Sequence, residues 1–376
     1  MTSYRDWAPR CMALTWLVLT GPMVSAESLD LTEATIADLN AAMDAGALSS
    51  ELLVERYLAR IAAYDDAGPA LNAVIHLNEN ALELARGLDR ERSRQGRRSP
   101  MHGIPVVLKD NLDTADMPTT AGSFMLQGSL PPNDAFIVDK LRDAGAIIIA
   151  KVNMSEFASG GAMSSLGGPT YNPHDQRRTP SGSSGGTGAA IAAAYASAGI
   201  GTDTGGSVRG PSSANGIVGL KTTHGLLSRD GIVPLALSFD TAGPMARNVY
   251  DVAAMLGVMT GIDPDDASTA RSEGRFHDDY TRFLDADAID GARIGVARDF
   301  MGSDPEVDWI IEASLQTLQD AGAEVIDVEF PDWLLDSRGR LYRAIRYREF
   351  RAQVRDYLAT TGPAYPKSLD ELVRQS

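Results

Sequence analysis

Cysteine is almost missing from this chain. Cys11 is the only one in 376 residues, so disulfides, thiol catalysis and cysteine metal sites have no material to build on. Lysine is nearly as scarce: five of the 34 basic residues are lysines (Lys109, Lys140, Lys151, Lys221, Lys367), and one at the end of an apolar run stands out. Positive charge as a whole is short. The formal net charge is −16, which argues against nucleic acid as a partner, because phosphate binding needs clustered Lys and Arg. Beyond residue 26 no segment is long and apolar enough to cross a bilayer. What is present is a 44% hydrophobic chain, able to bury a large core in one big domain or two ordinary ones. The balance suits a small or neutral substrate.

The N-terminus has its own grammar. Arg5 and Arg10 precede the apolar stretch CMALTWLVLTGPMV, and Val24-Ser25-Ala26 offers a small-residue cleavage site before Glu27. This is the pattern of a secretory signal peptide. Residues 1–26 are expected to be a leader cleaved after Ala26, leaving 27–376 as one domain in the periplasm or outside the cell; a retained anchor is the other reading. A mature chain from Glu27 has no cysteine, which is compatible with a bacterial-type periplasm.

Helical patterns follow. Thr32 can cap LTEATIADLNAAMDAG and Ser50 can cap ELLVERYLARIAAYD; a third pattern, NENALELARGLDRERSRQGRR, ends in a solvated, charged face. From about residue 103 the elements alternate: GIPVVLKDN as a strand entering a loop, DAFIVDKLRDAG as a helix, AIIIAK as a strand, MSEFAS as a short helix, AAIAAAYASAG as a helix and IGTDT as a strand. Later, Asp304-Pro305 starts a helix with Val307, Ile310, Ile311, Leu315 and Leu318 on one face; Gly322 ends it and AEVIDVEF follows as a strand. This alternation predicts an α/β fold whose sheet is buried on both faces. With no internal repeat and no long linker, a single large domain is expected.

Two Gly/Ser turns, TPSGSSGGTG and GTDTGGSVRG, bracket one helix and one strand, which suits two walls of one site better than a linker. Glycine lets backbone approach a ligand closely, and consecutive N–H groups near a helix start form an anion-binding nest. A phosphate loop would need G-x-x-x-x-G-K-[ST], and no lysine follows either turn. Acyl transfer, whose intermediate carries an oxyanion, is the other common user of such nests. Gly182-Ser183-Ser184-Gly185-Gly186 matches a nucleophile elbow formally, but HDQRRTPS before it is no strand. None of His76, His102, His174, His224 and His277 sits in an obvious catalytic context. Lys109 is a candidate base instead: at the tip of IPVVL it is desolvated, which lowers its pKa. A snorkelling lysine paired with Asp110 is the bland alternative.

GIPVVLKDN, PSGSSGG and the block GTDTGGSVRGPSSANGIVGLKTTHGLLSRDGIVPLALSFDTAGPMARNVYDVA together resemble the amidase signature family over roughly residues 30–265. The resemblance implies an α/β domain with a central mixed β-sheet covered by helices on both faces, and hydrolysis of a carboxamide through an acyl-enzyme on a Ser–cis-Ser–Lys triad. Residue by residue it makes Ser207 the nucleophile, Ser183 the bridging serine after a cis bond, and Lys109 the base. The backbone N–H groups of Thr204, Gly205, Gly206 and Ser207 would form the oxyanion hole. Ser159-Gly160-Gly161 would line the pocket, with Ser184, Asp203 and Arg209 in support and an Asp203–Arg209 ion pair stiffening the turn. Neither cofactor nor metal is expected. The implied partner is a small-molecule linear amide, and a homodimer is an assembly compatible with it.

Two departures stand out. The family's usual proline in GLKPT is Thr222 here, and family members usually continue well past a point like PAYPKSLDELVRQS, so the C-terminal part is expected to be missing. The alternatives are an amidotransferase A-subunit-like glutaminase and a truncated, inactive amidase-like binding protein. A leader counts against the glutaminase, whose partner proteins and tRNA are cytoplasmic.

Overall fold

A computed structural model describes residues 29–375; residues 1–26, where a leader is expected, and Cys11 among them lie outside the described residues. Two helices open the fold, each starting beside the expected cap. Helix α1 (Ile36–Asp44) is capped by Thr35, whose hydroxyl accepts the Asp38 N–H at 3.1 Å while the Asp38 carboxylate accepts the Thr35 N–H at 2.9 Å. Thr32 lies too far upstream for this reciprocal capping and bonds Asp30 instead. Helix α2 (Ser50–Tyr64) is capped by Ser49, which accepts the Leu52 N–H at 3.0 Å. Ser50 is already in the first turn, its hydroxyl against Met43.

Then come β1 (Val74–Leu77), α3 (Ala81–Gln95), β2 (Pro105–Lys109), α4 (Phe136–Asp143) and β3 (Ile147–Val152). A small antiparallel pair, β4 (Met163–Ser164) and β5 (Gly168–Pro169), precedes α5 (Gly185–Ala192), β6 (Ala198–Asp203), α6 (Arg209–Ala214), β7 (Val218–Gly219), β8 (Thr241–Ala246) and α7 (Val249–Met259). Six strands form one mixed sheet in the order β1-β3-β2-β6-β8-β7. Its centre, β3-β2-β6, is parallel, while β1, β8 and β7 run antiparallel to their neighbours. Every residue of β2, β3, β6 and β8 is buried. Side chains alternate between faces along a strand, so both faces are covered; α2 and α5 pack on β2, α3 on β3 and α7 on β8.

Helix α5 is buried through most of its length and built from Gly, Ala, Thr and Ile. Its composition follows from how close it lies to the sheet: a Cβ at Gly186 would stand 2.2 Å from the Asn153 carbonyl oxygen and 2.8 Å from that of Ala73. The expected short helix at MSEFAS is a single 3-10 turn, Glu156–Ala158, broken by Phe157 in the left-handed region (φ 48°).

The C-terminal elements are β9 (Arg293–Ala297), α8 (Pro305–Asp320), β10 (Glu324–Val328), the long α9 (Asp332–Thr360) and α10 (Leu369–Gln375). The α8–β10 unit forms as read, with Asp304 accepting the Glu306 and Val307 N–H groups and Gly322 at φ 95° just past the helix end. Its apolar face is not buried, however. Of the five residues named for it only Leu315 is buried, and Val307, Ile310 and Ile311 are exposed, because α8 packs on a sheet of just two parallel strands, β9 and β10. Among the described residues no helix is long and apolar enough to cross a membrane.

Gly186→Ala is expected to destabilise the fold by about 2–3 kcal/mol, the cost of overpacking where backbone cannot yield. Chemical denaturation of the variant beside the wild type measures this, and an unchanged midpoint would contradict the close approach of α5.

Candidate active site

The register of the parallel strands assembles the site. Leu108 of β2 lies opposite Ile200 of β6, so Lys109 and Thr202 emerge side by side at the carboxyl ends of neighbouring strands, the edge where open α/β sheets bind ligands. Lys109 is fully buried. Its Nζ lies 2.7 Å from Ser183 Oγ, 2.7 Å from Thr202 Oγ1 and 3.4 Å from the Thr202 carbonyl oxygen. Burial lowers its pKa to about 7, against the opposing pull of the Asp240 and Asp203 carboxylates. Lys109 does not pair with Asp110; that carboxylate faces the equally buried Lys151 at 3.5 Å.

Ser183 is buried and follows a cis peptide bond from Gly182. Its carbonyl accepts the Ser155 N–H at 3.0 Å. Ser184 locks the turn onto β6: its hydroxyl donates to the Thr202 carbonyl at 3.2 Å and accepts the Thr202 N–H at 3.2 Å. The two Gly/Ser turns meet where the Ser184 N–H donates to the Ser207 carbonyl at 3.3 Å. Ser207 is half-buried beside them, and among the described residues its hydroxyl makes no hydrogen bond to Ser183.

Asp203 organises the second turn from below. Fully buried, it accepts the N–H groups of Gly206 at 2.8 Å and Val208 at 3.1 Å. The Arg209 guanidinium contacts both its oxygens, at 3.2 and 3.3 Å, and Lys221 Nζ stands at 3.2 Å. Burial pushes this carboxyl upward, but Arg209, the two N–H groups and Lys221 outweigh it and hold it well below the usual carboxylate range. Gly206 sits at φ 125°, a conformation open to glycine. Of the four N–H groups expected to face an oxyanion, that of Gly206 is thus committed to Asp203. Those of Thr204, Gly205 and Ser207 meet no acceptor among the described residues. The Thr204 hydroxyl bonds Asp240, which also accepts the Leu235 N–H at 2.8 Å and the Ala236 N–H at 2.9 Å.

Ser159, Gly160 and Gly161 form an exposed loop beside the cis turn. Ser155 Oγ donates to the Gly160 carbonyl at 2.9 Å and also to that of Gly161, and a Cβ at Gly182 would lie 2.8 Å from the Gly160 oxygen. A cleft runs behind the second turn, lined by Ala158, Thr204, Val233, Leu235 and Asp240.

Several participants were not singled out from the sequence. Thr202, just before Asp203 in the quoted block, holds Lys109 together with Asn111, whose Nδ2 lies 3.1 Å from Thr202 Oγ1. Tyr342 of α9 covers the second turn, its hydroxyl 2.7 Å from where a Cβ on Gly205 would stand. Strand pairing signals the first; nothing local in the chain signals the second. No histidine bonds either serine: His102, His174 and His224 turn to the carbonyls of Leu88, Asn215 and Leu237. Among the described residues no group of three or more His, Cys, Asp or Glu side chains is placed to hold a metal ion.

A buried amine against a buried serine, beside a second serine in a glycine turn, is equipment for moving a proton and holding an anion. A family model described as Amidase matches residues 52–376. The glutamyl-tRNA(Gln) amidotransferase A subunit of Anaeromyxobacter sp. (strain K) is 43% identical over 311 residues, covering 82% of this chain and 62% of that relative. The native peptide amidase of Stenotrophomonas maltophilia is 44% identical and superimposes with a TM-score of 0.86 over 91% of this chain and 71% of its own. The corresponding amidotransferase A subunit of Thermotoga maritima is 31% identical with a TM-score of 0.73, over 92% and 70%. The chain spans about 62% of the length of the first of these relatives.

Lys109 titrates near 7 when folded and near 10.5 when unfolded, so the unfolded chain binds more protons between these values and stability rises with pH across that window. Lys109→Met removes the burden. It is expected to be more stable than wild type at pH 6, by up to about 5 kcal/mol, with the gain fading as pH rises from about 7 towards 10.5. Denaturant titrations at several pH values check this; a variant less stable at pH 6 would contradict it.

Proposed function

We propose, from the premise that the chain belongs to the amidase signature family, that it hydrolyses the C–N bond of a carboxamide through an acyl-enzyme on Ser207. One observation carries this reading: Lys109, desolvated to a pKa of about 7, stands 2.7 Å from Ser183 on the turn that contacts Ser207. A neutral amine at that position can give its two hydrogens to Thr202 Oγ1 and the Thr202 carbonyl, which leaves its lone pair facing Ser183 Oγ. Ser183 passes its proton to Lys109 and takes that of Ser207, whose oxygen attacks the carbonyl carbon. The free N–H groups of Gly205 and Ser207 receive the oxyanion. The proton returns from the Lys109 ammonium through Ser183 to the departing nitrogen, the C–N bond breaks, and the amine or ammonia leaves. Water then attacks the acyl ester by the same relay, and Lys109 ends neutral. The relay requires the Ser207 hydroxyl to turn onto Ser183, a contact of the kind that tightens in the substrate complex. Asp203, held ionised by Arg209 and Lys221, fixes the turn that carries Ser207 and its N–H groups.

The substrate class proposed is a linear amide outside the peptide backbone, met in the periplasm or beyond after residues 1–26 are removed; Arg5, Arg10 and the apolar stretch behind them support the export part. A glutaminase of the amidotransferase type is the second reading, favoured by the 43% identity to such a protein.

A fluorophosphonate probe is expected to label Ser207. Labelling should vanish in Ser207→Ala and fall roughly 10²- to 10⁴-fold in Lys109→Ala, the range for loss of a general base. Its rate should climb with pH through about 7 as Lys109 loses its proton. Mass spectrometry of the adduct and an amide panel that includes glutamine read this out. Labelling independent of Lys109, or its absence from folded protein, would overturn the reading, and glutamine as the one amide hydrolysed would favour the second.

A further inference from the structure

Helix α9 lies across the site, and its inward face contains an arginine that the proposed reaction does not use. Tyr342, Arg346 and Phe350 recur every four residues and so share that face. Tyr342 sits against Gly205 and beside Phe239, with ring centroids 5.3 Å apart. Phe350 packs on Met154, Ala158 and Leu235 and meets Phe157 edge-on at 6.0 Å. Ala158 precedes the Ser159–Gly161 loop. Arg346 therefore sits between the turn that carries Ser207 and the loop that flanks the cis serine.

Arg346 is half-buried, and its Nε is buried without a hydrogen-bond partner. Its contacts are rings: the guanidinium carbon lies 5.6 Å from the Tyr342 centroid and 4.7 Å from that of Tyr347. Among the described residues no carboxylate answers it. Its neighbours are served: Glu349 accepts the Ser238 N–H at 3.0 Å, Arg209 pairs with Asp203, and Arg229 pairs with Asp266. Acids are not in short supply in a chain with 50 Asp and Glu against 34 Lys and Arg. A guanidinium taken partly out of water without an acid is costly, whereas one held by aromatic faces presents a planar fork of donors matched to a carboxylate.

We infer that Arg346 is a receptor for a carboxylate on the substrate, so that the amide taken by this site is an amic acid type, with a carboxamide at one end and a carboxylate at the other. This rests on the amidase reading above. The carboxamide reaches Ser207 beneath Tyr342 while the carboxylate accepts the Arg346 fork, which fixes which end of the molecule enters.

The test uses the full chain as wild type, Arg346→Lys and Arg346→Met, with circular dichroism to confirm folding. Succinate and glutarate, the products expected from such substrates, are titrated by calorimetry, with butyramide as the neutral control. In parallel, kcat/KM is measured for succinamate and glutaramate against butyramide and valeramide. Arg346→Met is expected to weaken dicarboxylate binding and lower kcat/KM for the amic acids roughly 10- to 100-fold, the range for a hydrogen bond to a charged group. Neutral amides should change less than about threefold, and Arg346→Lys should lie between. Equal losses on both substrate types, or none, would overturn the assignment and leave Arg346 as a packing residue of α9. If Ser207 takes no fluorophosphonate and no amide is turned over, the amidase reading fails; calorimetry then decides the receptor by itself.

Discussion

The burial of one amine governs this site. Lys109 sits at the end of a strand covered on both faces, where no water solvates its charge, and its three polar contacts all go to two residues, Ser183 and Thr202. A charged amine there loses hydration that these neutral oxygens restore only in part, so the neutral form becomes accessible near pH 7. The surrounding structure follows from that need. Helix α5 packs on both β2 and β6, and it can lie so close to the sheet only with glycine at positions such as Gly186, where a Cβ would meet the Asn153 carbonyl.

The second turn solves the opposite problem. Where Lys109 is kept from being charged, Asp203 is kept charged, by a guanidinium, an ammonium and backbone N–H groups gathered on one carboxylate. The aspartate consumes the Gly206 N–H, which orients the turn so that the N–H groups of Gly205 and Ser207 remain for a ligand. Both pKa values are lowered, which sets a neutral amine and an ionised carboxylate beside the two turns that meet at Ser207. The neutral amine suits a proton relay, and the ionised carboxylate holds the turn beside it.

Much of this was legible in the chain, and the reasons differ by residue. Lys109 could be found because lysine is rare here and an apolar run precedes it. The two Gly/Ser turns were visible because small-residue runs flanking a helix are a poor linker. The strand at 241–246 was not recognised, since Thr-Ala-Gly-Pro-Met-Ala carries both Gly243 and Pro244; the sheet accommodates it because the Pro244 carbonyl still accepts the Leu220 N–H at 3.1 Å. Helix starts were missed by one to three residues at Ser49 and Thr35, where several hydroxyls compete for the same cap. The apolar face of α8 was read correctly as a pattern, but periodicity reports which residues share a face, not what covers it. Tyr342 and Arg346 lay beyond sequence reasoning altogether, because they are brought to the site by the path of α9 across more than a hundred residues of separation.

The central claim is that Lys109 is a neutral amine at working pH, and it can be measured directly. With five lysines in the chain, carbon-13 labelling at lysine Cε gives few signals, and Lys109→Met assigns the one in question. The account predicts that the Lys109 resonance titrates near pH 7 in the folded protein. A midpoint near the ordinary lysine value of 10.5 would contradict it, because an amine that stays protonated cannot take a proton from Ser183.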